Sequence, residues 1–222
     1  TMVAIALGLL MEEGKIGLED RIVDYFPDLT PAEISPFLKR LKIRDMLRMA
    51  TCYRPTAYRE YMDEDWTKPF FTGKPDHEPG TVFNYDTGNS QVLSSLVRRV
   101  SGMEVIDFLE ERLFGPLGCE DGRYWLRDPS GQCTGGTGLC MSLRDLHRVA
   151  LCLARGGDGL IPGWFVAAMQ KKQIAPLQQA HEEERWGYGW QCWRTRAGWV
   201  LYGMGGPLAV ILPEPAAGLC TL

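Results

Sequence analysis

The chain contains 222 residues, 45% of them hydrophobic and 23% charged, and its formal net charge is −4 at pH 7. These fractions are typical of a soluble globular protein, and a chain of this length buries roughly 70% of its unfolded surface when it folds. There is no strongly basic run, so the composition argues against a nucleic-acid partner. We expect one large domain with a sizeable core, or two interleaved subdomains.

The cysteines and histidines show no metal-binding spacing. None of the seven cysteines forms a C-x-x-C pair or lies in a Cys/His cluster, and the three histidines are unrelated in spacing. This pattern predicts reduced, mostly buried thiols and a cytoplasmic location, with no metal and no cofactor.

The first predicted element is the apolar run Met2–Met11. Because it is apolar on all sides, it predicts a buried helix, which should end near Gly14, a residue suited to a helix C-terminus. The run is well short of the ~20 residues that span a bilayer, and it lacks the basic leader and cleavage site of a signal peptide. We therefore expect no membrane span.

Several helix signals follow. Thr30-Pro31-Ala32-Glu33 has a capping threonine, a proline at the first position and a glutamate at the third, which predicts a helix start that Pro36 then limits. Ser142 and Asp145 predict a capping box that opens a helix through Leu153. Apolar residues with helical spacing predict further helices at 43–49, at 92–100, where Gly102 ends the run, and at 105–114.

The last part of the chain changes character. Short aromatic or branched segments, separated by Gly or Pro, predict an antiparallel meander at 186–193, 199–202, 208–212 and 218–222. Helices followed by strands indicate an α+β fold. We predict a single domain over 1–222, with a mainly helical part over 1–184 and antiparallel strands over 185–222.

The most informative motif is the stretch from Pro79 to Asn89, which contains Asn84-Tyr85-Asp86-Thr87. It places a tyrosine at the edge of a polar turn, directly before a helix. Residue type alone favours a half-buried tyrosine that fills space, whereas the position beside the turn suits a reactive phenol. The stretch resembles the tyrosine motif of the serine β-lactamase and penicillin-binding-protein superfamily.

Other segments resemble the same superfamily in the same order. Its buried helix and the continuation of that helix are similar to residues 6–20 here, its next helix to residues 42–49, and its PLG turn to residues 115–118. Residues 128–146 are closest to the class C β-lactamase-related esterase and nylon-oligomer-hydrolase branch. This resemblance covers nearly the whole chain and implies a β-lactamase/transpeptidase-like α+β fold.

The resemblance also implies a serine hydrolase that cleaves a small-molecule ester, amide or peptide through an acyl-enzyme. Members use a serine and a lysine in S-x-x-K, a tyrosine in Y-x-N or a variant, and a glycine-rich strand. Tyr85 matches the tyrosine, with Asp86 and Thr87 as substrate-binding neighbours; Thr87 stands at the usual asparagine position. The motif lysine would lower the pKa of the phenol, ordinarily about 10, so that Tyr85 can accept the serine proton.

The glycine-rich wall is matched by residues 202–207 in either of two registers. If Met204-Gly205-Gly206 is the motif, Pro207 stands where a backbone N–H should stabilise the oxyanion, and proline has none. If Gly203-Met204-Gly205 is the motif, the next glycine supplies that N–H. In many relatives a lysine or histidine stands where this chain has Met204, so a carboxylate anchor is missing. A glycine turn between two strands would explain the same residues without any function.

The nucleophile motif is absent, because neither S-x-x-K nor T-x-x-K occurs in the sequence. In relatives both residues lie at the start of the buried helix, so we expect the lysine just before Thr1 and the serine three residues earlier. The chain alone is then predicted to be inactive, and its parent form to be the enzyme. The alternative is an inactive binding module that uses the residual cleft. Because the opening strands of the family would also be missing, we expect self-association through an open sheet edge.

Overall fold

Helix α1 (Met2–Glu12) is the central element of the fold. The computed structural model describes residues 1–54, 64–179, 181–203, 206–214 and 216–221. Most α1 side chains are fully buried, and the helix packs mainly against α5 (Thr87–Ser101). Gly8 lets the Phe165 ring approach α1 closely, because a Cβ at this position would lie 2.5 Å from that ring. The predicted buried helix is confirmed.

The other described helices are mostly short. In chain order they are α2 (Pro36–Arg40), α3 (Ile43–Leu47), α4 (Lys68–Thr72), α6 (Val105–Leu109), α7 (Leu143–Ala154) and α8 (Gly163–Gln170). Helix α6 continues into a π-helical turn at Glu110–Phe114, so the helix predicted over 105–114 changes its hydrogen-bond pattern halfway. Among the described residues, no helix has both the length and the apolar character that crossing a membrane requires.

The helix predicted to start at Thr30 does not form there. The Thr30 hydroxyl donates a hydrogen bond to the Phe26 carbonyl (2.7 Å), so it closes the preceding turn instead of capping a new helix. Helix α2 begins only at Pro36, where the Ser35 Oγ accepts a hydrogen bond from the Phe37 N–H (3.2 Å). Proline is favoured at a first helical position, so Pro36 opens a helix, and its prediction as a helix-limiting residue is wrong.

Two predicted helix boundaries are confirmed by their caps. Helix α5 ends at Gly102, whose φ of 76° lies in the left-handed region that glycine tolerates. Helix α7 begins after Ser142, whose Oγ accepts a hydrogen bond from the Asp145 N–H (3.1 Å). Local sequence chemistry is sufficient to set these two boundaries.

The C-terminal strands form a four-stranded antiparallel sheet in the order β3-β4-β5-β6, and an earlier hairpin pairs β1 with β2. The predicted meander is confirmed except at its start: of residues 186–193 only the last belongs to a strand, and Glu182–Trp186 forms a 3-10 turn. The hairpin interrupts the part predicted as helical. The strand bounds are β1 (Tyr124–Trp125), β2 (Leu139–Cys140), β3 (Trp193–Arg194), β4 (Trp199–Tyr202), β5 (Leu208–Leu212) and β6 (Ala217–Thr221).

The two faces of the sheet differ in burial. Ala209 and Ile211 of β5 are fully buried, and α7 packs against β5 and β6. The alternating residue Val210 is only partly buried, and it pairs with Leu219 of the edge strand β6, whose side chain is 67% exposed. We call the face that carries Val210 and Leu219 the outer face. Among the described residues it leaves apolar side chains partly open to solvent.

Asp145 is a buried carboxylate that joins α7 to the loop before it. Its side chain is 2% exposed and accepts hydrogen bonds from the Glu120 N–H (3.1 Å) and from Arg148 Nη1 (2.6 Å). The Arg123 guanidinium, itself 4% exposed, lies 3.8 Å from Oδ2. Burial opposes ionisation, but these donors outweigh it and hold the pKa of Asp145 below its ordinary value.

We predict that Asp145→Asn lowers the free energy of unfolding at pH 7 by about 3 kcal/mol, because it removes the negative charge that faces two arginines. Urea unfolding measures the change. Because the folded-state pKa is lowered, the carboxylate stabilises the fold fully above its unfolded pKa of about 3.9 and loses this effect as the pH falls through the folded pKa. The variant and the parent should therefore converge in stability at acidic pH.

The matched control is Glu111→Gln, which neutralises an exposed carboxylate in the π-helical turn that follows α6. It should change the free energy of unfolding by less than about 0.5 kcal/mol. Equal effects of the two substitutions at pH 7 would contradict the structural role given to Asp145.

Candidate active site

Tyr85 lies directly before α5 and keeps 45% of its surface exposed. Asp86 is the N-cap of the helix: its Oδ1 accepts a hydrogen bond from the Gly88 N–H (2.8 Å), and the residue is only 2% exposed. Thr87 is the first helical residue and is partly exposed. Asp86 therefore fixes the direction in which the chain enters the helix, and its contact with a substrate stays a prediction.

Hydrogen bonds to the end of α3 and the following loop hold the segment around this tyrosine in place. The Asn84 N–H donates to the Met49 carbonyl (2.7 Å), and the Asn84 Nδ2 donates to the Tyr53 carbonyl (2.6 Å). Within the first turns of α5, the Asn89 Nδ2 donates to the Met46 carbonyl (2.8 Å). The tyrosine is thus fixed from both sides. These contacts cannot be predicted from the sequence, because no motif marks an asparagine that bonds to a distant carbonyl.

Aromatic side chains surround the Tyr85 ring. Trp193 stacks on it with ring centroids 5.4 Å apart, and Tyr188 meets it edge-on at 6.2 Å. Trp193 also contacts Tyr188 (4.8 Å) and Tyr202 (6.4 Å). We call Tyr85, Tyr188, Trp193 and Tyr202 the aromatic box. Tyr188 and Trp193 are buried, whereas Tyr85 and Tyr202 are 45% and 48% exposed. Two of the four rings therefore face solvent.

The aromatic box lines a pocket of about 90 Å³. Thr1, where α1 begins, lines the same pocket, as do Ser90 of α5 and the two glycines Gly135 and Gly136. A side chain at Gly136 would not fit, since its Cβ would lie 2.3 Å from the Thr87 methyl group. The starts of α1 and α5 therefore meet in one pocket.

Gln191 connects these two helix starts. Its carbonyl accepts a hydrogen bond from the Thr1 hydroxyl (2.5 Å), its Nε2 donates to the Ser90 Oγ (3.1 Å), and its N–H donates to the Leu47 carbonyl (2.9 Å). The residue is 5% exposed and has a φ of 53°, which a non-glycine residue rarely adopts. A strained backbone that its surroundings hold in place is typical of functional sites. The sequence gives no signal for this residue.

The Tyr85 phenol is less acidic than that of a free tyrosine. Desolvation by its surroundings raises the pKa of Tyr85, and the negative charge of Glu184 raises it further. None of the described residues that line the pocket is a lysine, arginine or histidine. Thr1 does line it, and burial lowers the pKa of its amino group to about 6, so this amine is mostly uncharged at neutral pH. At neutral pH the phenol therefore keeps its proton, and it can act as a base only when a cation lies beside it.

The glycine-rich wall lies in the hairpin between β4 and β5. The Gly203 N–H donates to the Pro207 carbonyl (2.8 Å), and the Gly206 N–H makes a long bond of 3.3 Å to the Gly203 carbonyl. Met204 and Gly205 lie outside the described residues, so both registers of the wall remain open. Gly206, the oxyanion donor in one of them, is only weakly bound within the hairpin.

A larger cavity of about 380 Å³ lies elsewhere and shares no lining residue with the Tyr85 pocket. Its two arginines, Arg98 and Arg99, are paired with Glu104 (2.8 Å) and Asp28 (2.6 Å). The described residues that line it include no serine, cysteine or histidine. In the described part of the chain, no group of three or more His, Cys, Asp or Glu side chains could hold a metal ion. The smaller pocket is therefore the better candidate for an active site.

Comparisons with solved structures show what this fold is similar to. A penicillin-binding protein homologue from Pyrococcus abyssi has a TM-score of 0.74 at 17% identity, over 99% of this chain and 58% of that one. A Bacillus anthracis protein assigned as a 6-aminohexanoate-dimer hydrolase has a TM-score of 0.79 at 19% identity, over 99% and 64%. A D-stereospecific amidohydrolase from Streptomyces has a TM-score of 0.70 at 19% identity, over 99% and 78%.

At these identities the structures show the fold alone, and they confirm the predicted β-lactamase/transpeptidase-like architecture. The chain spans less than two thirds of the length of the first two structures. The comparison with curated proteins found no match. The family model described as Beta-lactamase matches residues 1–219, and the chain therefore belongs to the Beta-lactamase family.

Proposed function

We propose that this chain is the tyrosine-bearing part of a serine hydrolase that cleaves a small-molecule ester, amide or peptide through an acyl-enzyme. The observation that carries the proposal is the meeting of Tyr85 with the start of α1 in one pocket. Family membership supports hydrolase chemistry, and the similar structures include proteins named as hydrolases.

The serine and the lysine are proposed to precede Thr1. Each helical residue adds about 1.5 Å along the axis, so a lysine just before Thr1 and a serine three positions earlier would continue α1 by about one turn at the pocket. Residues three apart lie on the same side of a helix. The lysine charge would counteract the desolvation that now raises the pKa of Tyr85, and would make the phenolate accessible.

Tyr85 is the base in this proposal. Its phenolate takes the serine proton while the serine oxygen bonds to the substrate carbonyl carbon. Backbone N–H groups stabilise the oxyanion that forms, and Gly206 supplies one of them in one register of the wall. The bond to the alcohol or amine then breaks, and the leaving group takes the proton from Tyr85. Water cleaves the acyl-serine in the second half of the reaction, with Tyr85 again moving the proton.

The substrate contacts remain proposals. Thr87 is partly exposed one residue beyond Asp86 and is suited to bond a substrate carbonyl. Asp86 acts through its cap, which sets the direction of the helix. Met204 and Gly205 are proposed to line the cleft together with the glycine that follows them.

A second candidate is a catalytically inactive binding module that uses the same cleft. It is favoured by the absence of S-x-x-K from the sequence, and by Pro207 in the register that would require an N–H at that position. Such a module would bind a ligand in the Tyr85 pocket without becoming acylated.

A cytoplasmic location is also proposed. All seven cysteines are free, and burial raises the pKa of the Cys52 and Cys192 thiols to about 12. Thiols of this kind are unreactive and are typical of a reducing compartment.

We predict that a fluorophosphonate probe does not label the 222-residue chain, whereas it labels the chain extended by the residues that precede Thr1 in its gene. Intact mass spectrometry measures the labelling. In the extended chain, Tyr85→Phe should slow labelling at least about 100-fold, because the serine loses its base. Tyr124→Phe changes an exposed tyrosine outside the pocket and should leave the rate unchanged.

Stoichiometric labelling of the 222-residue chain would show that the nucleophile lies within it and would overturn the proposed position of the serine. If the extended chain also remains unlabelled, the binding module becomes the better account.

We predict that the Tyr85 phenol of the 222-residue chain titrates above pH 10. Ultraviolet difference spectra between about pH 8 and 12, with Tyr85→Phe as the reference, isolate its ionisation from that of the other tyrosines. In the chain that carries the upstream lysine, the same phenol should titrate at lower pH, since an adjacent cation favours the phenolate. A pKa below 10 in the 222-residue chain would contradict the desolvation inferred for this pocket.

Self-association through the sheet is proposed from the exposure of the outer face. Leu219 lies on the edge strand β6 and is 67% exposed, and it pairs with the partly buried Val210. An edge strand with apolar residues is a template for pairing with another copy.

We predict that sedimentation at increasing concentration shows a dimer or larger species. Leu219→Lys should shift the protein to the monomer, because a charge on the outer face opposes the burial of that face. Leu177→Lys is the control, since Leu177 is 73% exposed outside the sheet. A monomer at every concentration, or the same effect from both substitutions, would exclude association through this face.

A further inference from the structure

Two of the four rings of the aromatic box are open to solvent, although Tyr85 and Trp193 stack and cover one face of each other. Tyr85 and Tyr202 keep 45% and 48% of their surfaces exposed, although both lie in contact with the buried Trp193. The buried Tyr188 ring lies edge-on to that tryptophan, with ring centroids 4.8 Å apart and an angle of 81° between the ring planes. Ring faces carry partial negative charge and attract a cation that lies within about 6 Å of the ring centroid.

The charges around the box also favour a cation. No lysine, arginine or histidine is among the described residues that line the pocket. Arg194 follows Trp193 in the chain, but its Nη1 donates a hydrogen bond to the Gln170 carbonyl (3.0 Å). This guanidinium is therefore held by the backbone and not by the rings of the box. Glu184 lies on the 3-10 turn that packs against β3, near enough for its charge to act on Tyr85.

The size of the pocket limits the group that fits. A cavity of about 90 Å³ holds a few heavy atoms, so it can enclose an ammonium head group but not a long chain. An anionic group is disfavoured, because no basic side chain is among the described residues that line the pocket, the Thr1 amino group is mostly uncharged at neutral pH, and Glu184 would repel the anion. A neutral alkyl group would fill the space without using the ring faces or the carboxylate.

We propose that the aromatic box binds a small organic ammonium group, which lies against the exposed rings of Tyr85 and Tyr202 with Glu184 as its counter-charge. The proposal deepens the proposed function by naming the substrate class: an ester or amide that carries an ammonium group near the bond that is cleaved. Two cations in one pocket repel each other, so the substrate ammonium must lie on the far side of Tyr85 from the catalytic lysine.

Choline tests this proposal in the 222-residue chain, against two probes of similar shape. The neutral isostere 3,3-dimethylbutan-1-ol replaces the nitrogen by carbon, and 3,3-dimethylbutanoate carries a negative charge instead. Calorimetric titration at constant ionic strength measures the affinity. We expect choline to bind at least about fivefold more tightly than the alcohol, and the carboxylate not to bind.

Two pairs of variants test the residues. Tyr202→Leu should weaken choline binding about threefold or more, whereas Tyr202→Phe keeps the ring and should bind as the parent does. Glu184→Gln should weaken choline binding and leave the alcohol unaffected. Glu214→Gln removes the same charge at an exposed position in the turn after β5, and should change neither affinity. Unchanged thermal unfolding shows that each variant is folded.

Three results would overturn the proposal: no saturable binding of choline up to about 50 mM, equal affinity for choline and the neutral alcohol, or choline binding that both Tyr202→Leu and Glu184→Gln leave unchanged. The titration needs neither the serine nor the lysine. Its failure would therefore leave the serine-hydrolase proposal intact, and a failure of labelling in the extended chain would leave the ammonium site intact.

Discussion

The hydrogen bonds of Gln191 hold together the two helix starts on which the site depends. Its carbonyl binds the residue that begins α1, and its side chain binds Ser90 in α5, the helix that follows Tyr85. Both helices are buried against each other, so neither start can shift without moving the core. The unfavourable φ of Gln191 is tolerated because its third bond, to the Leu47 carbonyl, fixes the same residue from another side. The position of Tyr85 beside α1 is therefore a property of the core.

The pocket built on this frame has no basic side chain among its described lining residues, and two proposals follow from that one property. Desolvation and Glu184 raise the pKa of Tyr85, so the phenol cannot serve as a base at neutral pH unless a cation approaches it. The proposed lysine before Thr1 is such a cation on the catalytic side. The exposed rings of Tyr85 and Tyr202 are proposed to bind a second cation on the substrate side, and the small volume restricts it to a head group.

The sequence predicts the elements whose signals are local. The apolar run of α1, the cap at Ser142 and the stop at Gly102 each depend on a few adjacent residues, and all three are found. The threonine at 30 shows the limit of such signals, because its hydroxyl has two possible partners and bonds to the preceding turn. Which partner is nearer depends on the tertiary fold.

For the same reason, only part of the candidate site can be predicted from the sequence. The motif around Tyr85 predicts this residue as catalytic, and the structure places it in a pocket with the start of α1, while its catalytic role stays a proposal. The aromatic box joins residues from four separate segments between positions 85 and 202, and Gln191 joins three. Tyr188, Trp193 and Tyr202 come together through the antiparallel pairing of neighbouring segments. Tyr85 reaches them only through the tertiary fold, so no spacing in the sequence relates it to the other three.

The most direct test of the central claim is the distance from the Tyr85 Oη to the nearest serine Oγ in a crystal structure of the chain extended upstream of Thr1. A base and its nucleophile lie within hydrogen-bond reach, so we predict a distance of about 2.6–3.2 Å to a serine that is followed three residues later by a lysine. A structure in which no serine from the upstream segment lies within about 5 Å of that phenol would contradict the account.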